Sequence, residues 1–268
     1  MLHERIYLRE NDEKIFLDTY VPDKIKGFTR RAILVIPGGG YACVCSDREG
    51  EPIAHAFMAE GFAAFVLSYS VARVRSFPAQ LIEASLAMAH IREHAEEYGI
   101  DPDAVFVTGF SAGGHLACSL GLLWHLDEIY KATGLPFGIN KPNGMILGYP
   151  VTIYEGGHKP SHHNLWGSDT LSEEQIATSS LERRVDERSV PLFVMHTSDD
   201  AVVPIASALK LATAYAEKGL PFELHVYPHM RHGAALANEI TSYGDPTLEN
   251  EAIAGWVRMA AYWAKHLK

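Results

Sequence analysis

The chain has 268 residues, of which 47% are hydrophobic and 21% charged, values typical of a soluble protein with one large α/β domain. Its net charge is −10 and no lysine–arginine cluster stands out, so nucleic acid and membrane surfaces are disfavoured as partners. No apolar run approaches the roughly 18–20 residues that span a bilayer.

The first five residues, Met-Leu-His-Glu-Arg, form no apolar run and lead directly into strand-like sequence, which argues against a secretory signal and predicts a cytoplasmic protein. The three cysteines indicate a reducing compartment as well. Cys43 and Cys45 are too close along the chain to bridge easily, and Cys118 lies in a helix-like stretch.

Strand-like segments recur along the whole chain. Residues 14–21 alternate apolar and polar side chains, as in a half-exposed antiparallel strand. Later apolar runs are more continuous, which is typical of parallel strands covered on both faces. These runs are residues 32–36, 63–67, 104–108, 145–147, 192–195 and 222–227.

Helical patterns lie between these strands. One buried stripe runs from Leu81 to Tyr98 and should end at Gly99, before an Asp-Pro-Asp turn at residues 101–103. A last helix is predicted over residues 253–267. The alternation of strand and helix predicts a single α/β domain over residues 1–268, with a mostly parallel, doubly wound sheet flanked by helices.

Residues 152–188 interrupt this alternation with glycines, a proline and several histidines. We interpret this irregular stretch as a small cap-like insertion over the carboxyl edge of the sheet, where ligands bind in such folds.

The strongest motif is Gly-Phe-Ser-Ala-Gly at positions 109–113, with a strand before it and a helix after it. This context predicts that Ser111 is a nucleophile on a strained turn, where flanking glycines avoid collisions. Glycine-rich turns also occur in nucleotide-binding folds, but neither Gly-x-Gly-x-x-Gly nor a following Lys-Ser/Thr is present.

A general base and its orienting carboxylate should follow in the order Ser, Asp, His. Asp199 and Asp200 follow the strand at 192–195, and the spacing to the following Val-Pro favours Asp200. His229 and His232 follow the strand at 222–227, and the glycine after His232 favours that residue. We therefore predict a Ser111–His232–Asp200 triad.

The Pro-Gly-Gly-Gly-Tyr segment at positions 37–41 follows the first buried strand. Glycines here let backbone N–H groups face a pocket, so Gly39 and Gly40, together with Ala112, are the predicted oxyanion donors. We expect Tyr41 to contact the substrate. A glycine-rich loop can cradle phosphate, but the lysine that usually accompanies it is missing.

Two groups of histidines are candidate metal ligands. His90 and His94, with Glu93, match an inverted zinc-protease pattern but sit on a helix expected behind the sheet. The others are the insertion histidines His158, His162 and His163, which we interpret as loop or pocket-wall residues. Cys43-x-Cys45 is too short for a usual zinc knuckle. No metal and no cofactor are predicted.

Taken together, the motifs resemble the small carbohydrate-esterase and acetyl-xylan-esterase-like branch of the α/β hydrolases, which is related to the hormone-sensitive-lipase group. The resemblance extends over nearly the whole chain. It is carried by Pro-Gly-Gly-Gly-Tyr at 37–41, Arg-Glu-Gly-Glu-Pro-Ile-Ala at 48–54, Gly-Phe-Ser-Ala-Gly-Gly-His-Leu-Ala at 109–117, and the segments at 196–204 and 232–233. The lipase group usually has His-Gly-Gly-Gly, whereas this chain has Pro37 in place of the histidine.

The resemblance implies an α/β-hydrolase that removes small acyl groups, often acetyl, from sugar-like esters. An amide-cleaving hydrolase of the same fold, arylformamidase-like or aminopeptidase-like, is the nearer alternative. A non-enzymatic binding module is disfavoured because the serine, histidine and glycines are all present. The insertion supports a short acyl group, since it carries Tyr154 and Trp166 among polar residues but no long apolar stripe.

Overall fold

Eight strands form one sheet in the computed structural model, which describes residues 1–71 and 73–267. Their order across the sheet is β1-β2-β4-β3-β5-β6-β7-β8. β1 pairs antiparallel with β2 and β2 with β4, while the remaining pairs are parallel. The strands are β1 (Arg5–Tyr7), β2 (Phe16–Tyr20), β3 (Arg30–Ile36), β4 (Ala63–Ser68), β5 (Ile100–Phe110), β6 (Met145–Gly148), β7 (Leu192–Thr197) and β8 (Phe222–Tyr227).

Helices connect the strands and cover both faces of the sheet. They are α1 (Ser46–Glu49), α2 (Glu51–Ala59), α3 (Ala79–Glu93), α4 (Ala95–Tyr98), α5 (Ser111–Leu123), α6 (Asp127–Thr133), α7 (Lys159–Trp166), α8 (Glu173–Ser179), α9 (Ala206–Glu217), α10 (Glu239–Ser242), α11 (Glu251–Ala254) and α12 (Trp256–His266). Short 3-10 turns lie at Leu181–Arg183 and Pro246–Leu248.

Side chains of β3 show why the apolar runs are continuous. Leu34 and Ile36 pack into the core shared with α3, α5 and α9, whereas Ile33 and Val35 pack into the core shared with α2 and α12. Because successive side chains point to opposite faces, a strand covered on both sides must be apolar throughout. The predicted fold class, a doubly wound α/β sheet, is therefore confirmed.

The structure corrects three local predictions. Residues 101–104 form a bulge within β5 rather than a connection before it, because Arg30 pairs with Ile100 while Ala32 pairs with Val105. The predicted turn is present inside this bulge, where the Asp103 N–H donates to Asp101 Oδ1 at 2.9 Å. The helix predicted over residues 81–98 is divided into α3 and α4 at His94, although Gly99 caps it in the left-handed conformation as expected. The last helix is divided into α11 and α12 at Gly255.

Residues 152–188 are more regular than the sequence suggested, because they contain α7, α8 and a 3-10 turn. A capping box at Ser172 and Gln175 begins α8. Over the described part of the chain, the helices are all too short or too polar to pass through a bilayer.

Candidate active site

Ser111 lies at the junction between β5 and α5, in the sharp turn that the sequence predicted. Its backbone φ of 53° is in the left-handed region, which is uncommon for a residue with a side chain and marks local strain. A side chain on Gly109 would collide with the carbonyl oxygen of Gly113, and one on Gly113 would collide with the carbonyl oxygens of Ile36 and Pro37. The two glycines are therefore required by backbone packing around the serine.

Three side chains that are distant in sequence form a hydrogen-bonded series at the carboxyl edge of the sheet. Ser111 Oγ lies 2.9 Å from His232 Nε2, and His232 Nδ1 lies 2.7 Å from Asp200 Oδ2. A neutral imidazole that donates from Nδ1 to the carboxylate accepts the serine hydroxyl proton at Nε2. The geometry is that of a nucleophile, a general base and an orienting carboxylate.

Asp200 is held by the turn that follows β7. Its Oδ1 accepts hydrogen bonds from the N–H groups of Val202 and Val203, each at 2.9 Å, which leaves Oδ2 to face His232. Burial alone would raise the pKa of Asp200, but hydrogen bonds from His196, His232 and the Val203 amide lower it well below its usual range. The group is therefore a carboxylate throughout the neutral pH range.

Asp199 has a different position. Its carboxylate oxygens accept hydrogen bonds from the backbone N–H groups of His229 and Met230, at 3.1 and 3.3 Å. It thus contacts the backbone of the loop that carries His232 rather than the imidazole. The His229 side chain is 89% exposed, and its Nδ1 lies 3.9 Å from Asp199 Oδ2, whereas His232 is the histidine bonded to Ser111.

The predicted oxyanion donors belong to segments next to Ser111, because Ala112 follows it directly and a side chain at Gly38 would come within 3.1 Å of Ser111 Cβ. Gly39 and Gly40 have φ values of 126° and 63°, a backbone path that other residues rarely follow. Among residues 1–71 and 73–267, neither glycine N–H donates a hydrogen bond, so both remain available to a ligand. Ala112 lies in the first turn of α5, where N–H groups have no partner within the helix and the helix dipole favours negative charge.

Tyr41 does not occupy the substrate-contacting position predicted for it. Its side chain is 1% exposed, and its hydroxyl lies 2.9 Å from His115 Nδ1 in the core. Because the hydroxyl is already used there, the structure does not bring the Tyr41 side chain to the cleft. The sequence motif did not reveal this, since tyrosine at the end of a glycine-rich loop can point in either direction.

The insertion packs directly on residues 37–41, here called the oxyanion segment. Asn164 Nδ2 on α7 donates to the Gly40 carbonyl at 2.9 Å, and a side chain at Gly40 would come within 3.7 Å of Ser161 Oγ. His158, which lies 2.9 Å from that hydroxyl through Nδ1, is half-buried. Burial and the nearby His232 both lower the pKa of His158, so it faces the site as a neutral imidazole near pH 7.

The candidate metal-binding histidines form hydrogen bonds with other protein groups. His90 Nε2 lies 2.9 Å from the Tyr98 hydroxyl, and His94 Nδ1 contacts the His90 carbonyl. The Tyr154 hydroxyl lies 3.2 Å from His163 Nε2. Across the described residues, no group of three or more His, Cys, Asp or Glu side chains is arranged to hold a metal ion.

Two histidines buried beneath the site make the stability of the fold sensitive to acid. Burial lowers the pKa of His115 to about 4, and burial together with His115 lowers the pKa of His162 to about 3. His162 Nε2 donates to the Ile153 carbonyl. Since the unfolded pKa is about 6.5, the unfolded chain binds more protons below that pH, and the native state loses stability as the pH falls.

We therefore expect the free energy of unfolding to be independent of these two histidines above pH 6.5 and to fall between pH 6.5 and 4.5. Each can contribute a slope of up to ~1.4 kcal/mol per pH unit. Urea titrations of His162→Gln, which keeps a donor for Ile153, should give a shallower slope than the wild type. The exposed His229→Gln is the control, and parallel curves for all three proteins would contradict the prediction.

The fold and the site together define a class of protein. A sheet of this strand order, with a strained serine between β5 and α5, is an α/β-hydrolase. The model of the BD-FAE family matches residues 17–215, and the chain belongs to that family.

Known relatives agree with this assignment. The chain is 38% identical over 215 residues to endo-1,4-beta-xylanase B of Butyrivibrio fibrisolvens, covering 78% of this chain and 33% of that protein. It is 27% identical over 254 residues to the acetylxylan esterase of Xylanibacter ruminicola, covering 92% of this chain and 49% of the relative. The chain thus spans between a third and a half of the length of these two relatives.

Solved structures match over almost the full chain. The acetyl ester-xyloside bifunctional hydrolase of Caldicellulosiruptor lactoaceticus superposes with a TM-score of 0.83 at 32% identity. The match covers 98% of this chain and 95% of the other. The similarity predicted from the motifs, to carbohydrate and acetyl-xylan esterases, is therefore confirmed.

Proposed function

We propose that the protein is a serine esterase that removes short acyl groups, above all acetyl, from small alcohols or sugars. The observation that carries the proposal is the series of hydrogen bonds from Ser111 Oγ through His232 to Asp200. A serine hydroxyl bonded to an imidazole is activated for attack on a carbonyl carbon. The proposed reaction has two steps.

In the first step, His232 Nε2 takes the Ser111 proton as Oγ forms a bond to the ester carbonyl carbon. The carbonyl oxygen becomes an oxyanion, and the N–H groups of Gly39, Gly40 and Ala112 donate to it. Asp200 holds the imidazole in the required tautomer and stabilises its charged form. When the tetrahedral intermediate collapses, the C–O bond to the alcohol breaks and the imidazolium returns its proton to the leaving oxygen.

In the second step, water replaces the alcohol. His232 removes a proton from the water, whose oxygen attacks the acyl carbon bound to Ser111. Collapse of the second intermediate releases the carboxylic acid, and the proton returns to Ser111 Oγ. These steps need no metal and no cofactor, because the imidazole transfers each proton and backbone amides stabilise each oxyanion.

The acetyl assignment is supported by the names of the relatives and by the walls of the site. An acetylxylan esterase and an acetyl ester-xyloside hydrolase are both similar to this chain. Ser111 is 8% exposed, and the polar side chains of His158, Ser161 and Asn164 lie over the oxyanion segment. A polar wall of this kind suits a sugar-like alcohol with several hydroxyl groups better than a long hydrocarbon chain.

We expect kcat/KM to be highest for the acetyl ester in a series of acetyl, butyryl, hexanoyl and octanoyl p-nitrophenyl esters. An apolar acyl tunnel would add ~0.8 kcal/mol of binding for each buried methylene and shift the maximum to longer chains. Acetylated xylo-oligosaccharides, run beside the series, test the alcohol. A maximum at hexanoyl or octanoyl would contradict the acetyl assignment and leave the serine esterase proposal intact.

The amide-cleaving alternative is tested in the same assays. N-formyl arylamines and aminoacyl p-nitroanilides should be cleaved at least ~100-fold less efficiently than p-nitrophenyl acetate, since an amide needs a better-placed proton for its poorer leaving group. Preferential cleavage of either amide would replace the esterase proposal.

A further inference from the structure

Glu49 is a buried carboxylate for which the proposed mechanism has no role. It lies at the end of α1, is 2% exposed, and belongs to the Arg-Glu-Gly-Glu-Pro motif. Within residues 1–71 and 73–267, no cationic side chain lies within ion-pairing distance of it. Burying a carboxylate without an ion pair is costly unless hydrogen bonds compensate, so its partners are informative.

The first partner is the oxyanion segment, defined as residues 37–41. Glu49 Oε2 accepts a hydrogen bond from the Gly38 N–H at 2.8 Å. Gly38 also lies next to the nucleophile, since a Cβ atom at this position would come within 3.1 Å of Ser111 Cβ. The same atom would lie 2.6 Å from Glu49 Oε2, so a side chain at Gly38 would displace the carboxylate. The peptide unit that follows Gly38 carries the Gly39 N–H, one of the proposed oxyanion donors. The Glu49 carboxylate thus fixes the backbone immediately before those donors.

The second partner leads to the histidine loop, defined as residues 228–237. Tyr149 donates its hydroxyl proton to Glu49 Oε1 at 2.8 Å, and the Tyr149 hydroxyl oxygen accepts a hydrogen bond from the Ala235 N–H at 2.9 Å. The Tyr149 ring also packs edge-on against the His232 ring, with 5.0 Å between centroids. Burial, with the charge of Glu49, raises the pKa of Tyr149 well above its usual range, so the phenol remains a donor.

We propose that Glu49 is a positioning residue, which acts through Tyr149 to hold the oxyanion segment and the histidine loop in fixed register. Four groups form one series: the Gly38 N–H, the Glu49 carboxylate, the Tyr149 hydroxyl and the Ala235 N–H. The transition state needs the oxyanion donors and the general base in place together, so a hydrogen-bonded series that joins both loops reduces the reorganisation required. This inference rests on the proposed esterase function.

Glutamine at position 49 tests the series because it preserves size and removes one acceptor. It can still accept from Gly38 or from Tyr149, but its amide nitrogen cannot accept from the other. For Glu49→Gln we expect kcat with p-nitrophenyl acetate to fall about 10- to 100-fold, less than the ~10²–10³-fold cost of an oxyanion donor itself. KM should change less than about threefold, because the ground-state ester does not contact Glu49.

Tyr149→Phe breaks the same series at its middle and leaves the Gly38 contact intact. We expect a similar loss of kcat. The Glu49→Gln/Tyr149→Phe double variant should be no slower than the slower single variant, since both substitutions break the same hydrogen-bonded series. Glu51→Gln is the matched control, because it removes a carboxylate two residues away that is exposed on α2. Its kcat should equal that of the wild type.

A trifluoromethyl ketone inhibitor separates positioning from simple stability. Its adduct with Ser111 places an oxyanion at the proposed donors, so its Ki should rise in proportion to the fall in kcat/KM for the two single variants. Thermal unfolding of each protein identifies any loss of folded enzyme. Wild-type kcat in Glu49→Gln, an unchanged Ki, or losses that multiply in the double variant would overturn the proposal.

These outcomes are separate from a failure of the esterase assignment. That assignment fails if the wild type has no esterase activity or if a fluorophosphonate does not label Ser111. With an active, labelled wild type, the variants test Glu49 alone, and Tyr149→Phe provides the test if Glu49→Gln does not fold.

Discussion

Ser111→Ala is expected to reduce kcat/KM for p-nitrophenyl acetate by about 10⁴-fold or more, because the remaining catalysis would come from substrate binding and the oxyanion donors. The fold should be retained, since the alanine keeps the Cβ atom and loses one hydrogen bond to His232. Steady-state assays, with circular dichroism of both proteins, measure the two effects. A fluorophosphonate probe should label the wild type once and the variant not at all.

Ser119→Ala is a matched control for that experiment. Ser119 is a buried serine on the same helix, and its hydroxyl donates to the His115 carbonyl at 2.9 Å rather than to an imidazole. The control should keep wild-type activity and wild-type labelling. If Ser111→Ala kept more than about a tenth of the activity, or if the probe labelled another residue, the serine mechanism would be wrong.

Asp200→Asn is expected to lower kcat by about 10⁴-fold, whereas Asp199→Asn should remain within about tenfold of the wild type. An asparagine at 200 can still accept from Val202 and Val203 through its oxygen, so its amide nitrogen then faces His232 Nδ1. Because that nitrogen donates, it favours the imidazole tautomer that carries its proton on Nε2, which cannot accept from Ser111. Steady-state kinetics with acetyl and butyryl p-nitrophenyl esters measure kcat for the wild type and both variants.

Asp199→Asn is the appropriate comparison because it removes a neighbouring charge in the same turn. Asp199 contacts backbone N–H groups of the histidine loop, and an asparagine oxygen can replace at least one of these contacts. Its effect should be seen mainly in stability. A larger loss of kcat in Asp199→Asn than in Asp200→Asn would mean that Asp199, and not Asp200, is the orienting carboxylate.

Much of the fold was predictable because its determinants are local. The continuous apolar runs of β3 to β7 follow from burial on both sides of a parallel sheet, and each lies within a few residues of its predicted position. β8 lies where it was predicted, but it is the edge strand and is only partly buried, so the expectation that both its faces are covered was wrong. The turn around Ser111 was predictable from local determinants as well. Glycine is needed on both sides of the serine because a side chain at either position would collide with backbone atoms in a strand–serine–helix turn of this shape.

Adjacent candidates in the site were harder to separate. Asp199 and Asp200 occupy the same turn, and spacing favoured the second without revealing what the first contacts. The structure resolves their contacts, because Asp200 faces His232 while Asp199 faces the backbone of residues 229 and 230. Such directions depend on how the ends of β7 and β8 lie beside each other, which is a property of the assembled sheet.

The sequence by itself determined the sheet, the strained serine and the order of the groups that follow it, since periodicity and backbone sterics are written in neighbouring residues. The tertiary structure alone decided that Tyr41 points into the core and that Glu49 is buried while Glu51 is exposed. The burial of Glu49 and the exposure of Glu51 depend on how α1 and α2 lie on either side of Gly50, whereas Tyr41 is directed by its contact with His115 on α5. Side-chain direction there is set by packing between distant segments, which no local pattern encodes.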